Sequence, residues 1–190
     1  MKQTEKEGEK KMKDTVCAVL LAAALVIALL LCGCRQVRIP NYNYLSDAPA
    51  WNVTLSWETD GIPFSAAVGG NGNRASYIRY TAPPALCGTQ ISRTADGTVS
   101  VTREDGQTAD GNGYLPLLAP AALFALEGID PKKTVSAHKQ PDGLYTVVTE
   151  AGVTLTLRHD TEANHFFPVS VSDATRTLSV SDFTVSADTP

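Results

Sequence analysis

Two thiols stand one glycine apart in Leu31-Cys32-Gly33-Cys34, directly after sixteen consecutive residues, Val16 to Leu31, drawn only from Ala, Val, Leu, Ile and Cys. A thiolate is a nucleophile, so the chemistry available at this point of the chain is covalent modification of sulfur. A second set of reactive types, His159, Asp160, Glu162 and His165, falls within one short stretch. These are zinc-ligand types, but the stretch reads as strand end, turn and strand start, where such side chains are solvated, so no metal is expected. Asp105 to Gly113, "DGQTADGNG", lacks the alternating oxygen ligands and closing Glu of a calcium loop and reads as a turn or mobile loop. Cys87 has no neighbouring His or helix N-terminus to lower its pKa and reads as a small buried hydrophobe. The chain holds no Gly-x-Ser-x-Gly elbow, His-Glu-x-x-His pair or phosphate loop. Neither enzymatic activity nor a cofactor is expected.

The apolar run is preceded by fifteen residues with five Lys, three Glu and one Asp. As a helix it would span roughly 24 Å at about 1.5 Å per residue. That is short for a membrane span and near the length of a secretory h-region. With its end at Leu31-Cys32-Gly33-Cys34, the segment resembles the bacterial lipobox, in which Leu, a tolerant residue and Gly precede an obligatory Cys. The resemblance implies a signal peptide over residues 1–33, cleavage after Gly33, and lipidation of Cys34. Cys32 would require bulky Leu31 before the cut, so it leaves with the signal. The chain is then expected on the extracytoplasmic face of a cell membrane, partnered with the bilayer through its anchor. Residues 34–50, polar and rich in Asn and Pro, read as a lipidated tether that could reach roughly 50 Å if extended.

From Cys34 on, eleven Lys and Arg stand against sixteen Asp and Glu, scattered rather than clustered. This leaves no electrostatic footprint for nucleic acid. Cys87 is then the only remaining unmodified thiol, so no internal disulfide can form. Burial and sheet hydrogen bonds must hold the fold.

Residues 51–190 supply that sheet. Trp51, Val53, Leu55 and Trp57 alternate with Asn52, Thr54, Ser56 and Glu58, the period of a half-buried strand. Asp60-Gly61 marks a turn, and Ile62, Phe64, Ala66 and Val68 continue the pattern up to "GGNGN". "RASYIRYTA" stops at Pro83-Pro84, and Asp96-Gly97 joins two Thr- and Val-rich runs as a hairpin. The alternation breaks over "YLPLLAPAALFALE", which predicts one largely buried helix at about 116–127, with Pro120 in its first turn and Gly128 at its stop. A meander of five further strands follows, with short turns that require antiparallel pairing. Near its end Leu178 and Val180 are out of phase with Phe183 and Val185, which predicts a bulge near Ser181-Asp182. The expected class is mainly β (α+β): a curved antiparallel sheet or unclosed half-barrel with one buried helix. Trp51, Trp57, Phe64 and Phe124 are either core or the lining of a ligand groove.

The order lipobox, tether, antiparallel strands, buried helix and meander resembles the LolA/LolB-like lipoprotein localisation group over about residues 51–185. Its most specific piece is "YIRYTAPPALCGTQISRTADGTVSV". The resemblance implies an incomplete barrel whose apolar concavity, closed by helices, takes acyl chains, with a lipid or a lipoprotein as partner. The alternative is a non-enzymatic structural or adaptor lipoprotein with a filled core that works through protein contacts.

Overall fold

The computed structural model describes residues 44–45, 50–130, 133–162 and 164–186. The chain divides into two compact units, Met1–Gln36 and Val37–Pro190, and every described residue belongs to the second. The apolar run, Cys32 and Cys34 lie outside the described residues.

The alternation of the first strand is realised directly. In β1 (Ala50–Thr59) Trp51, Val53, Leu55 and Trp57 are buried while Asn52, Ser56 and Glu58 face solvent. Asp60 and Gly61 both take positive φ, at 51° and 75°, and close a two-residue hairpin onto β2 (Ile62–Asn71). The meander continues through β3 (Arg74–Ala82), β4 (Gln90–Arg93), β5 (Val99–Thr102) and β6 (Thr108–Asp110). After a helical crossover, β7 (Thr134–Lys139), β8 (Tyr145–Thr149), β9 (Thr154–Asp160), β10 (His165–Ser172) and β11 (Thr177–Ser186) form a second meander.

The two meanders fuse into one eleven-stranded sheet because the first strand pairs with the last. All ladders are antiparallel, and the order β6-β5-β4-β3-β2-β1-β11-β10-β9-β8-β7 leaves β6 and β7 as the edges. The segment between β6 and β7 therefore connects opposite edges, and its residues 111–130 cover the inner face. Their α-helix, α1 (Ala119–Phe124), touches both β3 and β10, which are four strand positions apart. On a flat sheet those strands would lie roughly 19 Å apart. A helix about 10 Å across meets both only if the sheet curls around it. Among the described residues the fold is the expected open, curved antiparallel sheet with a single short α-helix.

The helix itself departs from its predicted span. Asn112–Leu118 is a 3₁₀ segment containing Pro116, and only Ala119–Phe124 is α-helical, with Pro120 in its first turn. Two prolines within five residues remove two donors, so the early part of the segment cannot build an α ladder. The helix also stops before Gly128. Leu126 takes the left-handed position at φ 55°, Glu127 N–H bonds the Ala122 carbonyl at 3.0 Å, and Leu126 N–H bonds that of Leu123 at 3.1 Å. This is a Schellman closure with leucine where glycine is usual. Leu126 is 1% exposed, and that burial offsets the strain of its backbone.

Other residues depart from the sequence reading. Gly69 and Gly70 belong to β2, where a Cβ on Gly70 would meet the Trp51 ring at 2.5 Å and one on Gly69 the Tyr77 ring at 2.4 Å. These glycines admit aromatic rings over the strand backbone. Thr108–Asp110, read as loop, adds an edge strand after the Asp105-Gly106 turn. Cys87 is exposed rather than buried, because the 3₁₀ turn Pro84–Leu86 carries it out of the sheet. Tyr44 and Leu45, within the stretch read as tether, are 7% and 0% exposed and pack in the core.

The bulge lies where the phase change placed it. Asn52 pairs with Thr184 and Thr54 with Ser181, so Asp182 and Phe183 together oppose Val53. Asp182 takes φ 51°, and the kink packs Phe183 against the core.

Candidate functional site

The inner face of the sheet and its cover form the candidate site. Most aliphatic strand positions there follow from period-two alternation, interrupted by register shifts before Ile78 in β3 and Val171 in β10. Phe124, projected by α1, is 0% exposed and lies 5.3 Å from the Trp51 ring, 5.4 Å from Tyr44 and 5.8 Å from Phe183. At the other end of β1, Trp57 stacks on Phe64 at 5.3 Å and meets Tyr80 edge-on at 6.0 Å. The four aromatic residues singled out from sequence thus form two pairs, Trp51 with Phe124 and Trp57 with Phe64. Six residues along one strand separate the pairs by roughly 20 Å. Trp51, Trp57 and Phe124 are buried core residues and Phe64 is half-buried.

The cover is held by long-range polar contacts to backbone. Tyr44 donates its hydroxyl to the Phe124 carbonyl at 2.7 Å, and Tyr80 donates to that of Leu117 at 2.7 Å. Burial pushes the Tyr44 hydroxyl above its usual range, and it pushes Tyr80 up to about 12 against a smaller opposing pull from the Arg176 charge. Just past the helix, Glu127 accepts the Ala75 N–H at 2.8 Å and pairs with Arg93, which also donates to the Ala75 carbonyl at 2.8 Å. None of Tyr44, Tyr80, Arg93 or Glu127 was identified from sequence. Their only trace is a polar or aromatic residue flanking an otherwise regular pattern.

A cleft of about 600 Å³ opens beside β9, β10 and β11, lined by Arg158, His159, Asp160, Thr161, Glu162, Phe167 and Phe183. Here His159 stacks on Phe166 at 4.6 Å, and its Nε2 lies 3.3 Å from Asn164 Oδ1. Asp160 accepts the Glu162 N–H at 2.9 Å, closing the turn. The stretch His159 to His165 is thus a hairpin end, and among the described residues no three His, Cys, Asp or Glu side chains are grouped to hold a metal ion. A second cleft of about 730 Å³ lies beyond Pro84–Cys87, bordered by Arg103, Glu104 and Tyr114. Among the described residues no helix is long and apolar enough to cross a membrane.

No family model matches the chain, and no curated protein does. Among solved structures it is similar to an uncharacterized conserved protein from Thermus thermophilus, at 14% identity and TM-score 0.47, over 80% of this chain and 87% of that one. It is also similar to a LolA superfamily protein from Nitrosomonas europaea, at 14% identity and TM-score 0.42, over 78% and 90% of the two chains.

Proposed function

We propose that this protein is a bacterial envelope lipoprotein, anchored through Cys34 on the extracytoplasmic face of the membrane, that binds or carries a lipid or other apolar ligand on the inner face of its sheet. In this reading residues 1–33 are a removed signal peptide and the residues after Cys34 leash the domain to the bilayer. Trp51, Trp57, Phe64 and Phe124 line the ligand's path. The observation that supports it is the nature of the cover: among the described residues the apolar face is closed by a six-residue helix and 3₁₀ turns rather than by a second sheet. A short segment tied down by a few polar contacts can be displaced at far lower cost than a packed layer.

The second reading, a structural or adaptor lipoprotein, draws on the completeness of the filling, since Phe124 and Leu126 are 0% and 1% exposed. Native mass spectrometry of the protein purified from a bacterial host separates the two. Co-purified lipid of defined mass is the outcome expected for a carrier. A clean apo mass, together with no uptake of an apolar fluorescent probe, would leave the adaptor.

A further inference from the structure

The inner face has a second boundary, in the sheet itself. Among the described residues β10 and β11 share a ladder only at Ser170–Ser179, Val171–Leu178 and Ser172–Thr177. Beyond it β10 pairs with β9 alone, from His165 to Pro168, and β11 pairs with β1 alone, from Ser181 to Ser186. The two strands part at one rim, and the sequence accounts for it on both sides. Pro168 has no N–H to add to a ladder and adjoins a register shift in β10, while the left-handed Asp182 turns β11 aside.

Rings fill the parting. Phe167, on the face opposite buried Phe166 and Pro168, lies 6.3 Å from Phe183, and Phe183 lies 6.0 Å from Tyr44. The file Phe167, Phe183, Tyr44, Phe124 therefore passes from the cleft to the core between two strands that share no ladder pair there. Its inner member Tyr44, held by the bond to the Phe124 carbonyl, belongs to the segment leading toward Cys34 rather than to the sheet.

We propose that this parting is the entry for the ligand, that Tyr44 is its intramolecular stopper, and that the ligand is a single-chain zwitterionic lipid. The proposal rests on the apolar-ligand reading above and assigns that ligand a route and a head group. An opening one strand-gap wide, lined by Phe167 and Phe183, suits one acyl chain. Its rim carries both signs: Arg158 is exposed and makes no ion pair among the described residues, and Glu162 is exposed four residues away. A phosphate paired with Arg158 and an ammonium paired with Glu162 satisfy both.

The test uses the full-length lipoprotein in neutral detergent at fixed concentration. Lysophosphatidylethanolamine and a monoacylglycerol of the same chain length each compete for a bound apolar fluorophore. Expected is tighter binding of the lysophospholipid, a gain of about tenfold in affinity for both lipids in Tyr44→Ala as the stopper is removed, and little change in Tyr44→Phe. Arg158→Gln should weaken the lysophospholipid by about threefold, as for an exposed ion pair, and leave the monoacylglycerol unchanged. Thermal melts of each variant establish that it is folded. If the wild type binds both lipids and neither Tyr44→Ala nor Arg158→Gln alters binding, the entry is overturned while the carrier stands. If no lipid binds to any folded variant, both fall.

Discussion

Arg93 and Glu127 between them satisfy both backbone groups of one residue: Glu127 accepts the Ala75 N–H and Arg93 donates to the Ala75 carbonyl, each at 2.8 Å, while the two side chains pair with each other. Both are about one-fifth exposed, at 17% and 21%. The pair joins the end of the covering segment to β3 and β4. Glu127→Ala leaves a largely desolvated guanidinium and a bare N–H, so it should lower stability by about 2 kcal/mol. Hydrogen exchange should show the loss concentrated in 119–130, with those amides exchanging faster than β1 and β2. Uniform exchange across the sheet would refute the idea that this pair latches the cover.

Cys34→Ser should abolish lipidation and leave unprocessed precursor, whereas Cys32→Ser should be processed normally. Metabolic labelling with a fatty-acid analogue reads both. Label retained in the Cys34 variant would refute the assignment.

Phe124 touches three rings with no exposed surface, so Phe124→Ala should cost about 3–5 kcal/mol in a denaturant melt, the usual range for a packed core phenylalanine. A loss near 1 kcal/mol would mean that the inner face tolerates a void under the helix. In that case the variant should also take up an apolar probe more strongly than the wild type.

Alkaline pH should loosen the cover. Tyr80 keeps its proton up to about 12 when folded but ionises near 10 when unfolded, and Tyr44 is shifted in the same direction. Above about pH 10 the folded state therefore holds more protons, and stability falls as pH rises toward 12. Chemical denaturation across that interval should show the decline, and Tyr44→Phe with Tyr80→Phe should flatten it. An unchanged slope in the double variant would place the alkaline sensitivity elsewhere.

The strands were legible because each writes its own burial into a period of two: Trp51 to Trp57 announces which face is inner without reference to any other residue. The bulge at Asp182 was legible for the same reason, as a break in that period. Tyr44 was not, since a single aromatic pair within a polar stretch has no period, and its partners Phe124 and Phe183 are distant in the chain. The helix is shorter than its apolar content implies, because Pro116 and Pro120 decide how many donors the ladder has. Strand alternation puts Trp51, Trp57 and Phe64 on one stripe, and the structure stacks Trp57 on Phe64. The separation of that pair from Trp51 and Phe124 follows from the length of β1, which no composition displays.

The pairing of β1 with β11 carries a temporal consequence. The middle of the sheet is joined by segments from opposite ends of the domain, while its edges come from the middle of the chain. Neither half can complete its inner face alone, and the closing ladder between Ala50–Ser56 and Ser179–Ser186 must wait for the last strand to be synthesised. Such non-local closure is slow, because its loop entropy is spent before the contacts form. Until β11 arrives, β1 keeps one edge unpaired, and that open edge is a template on which the strand of another chain could pair.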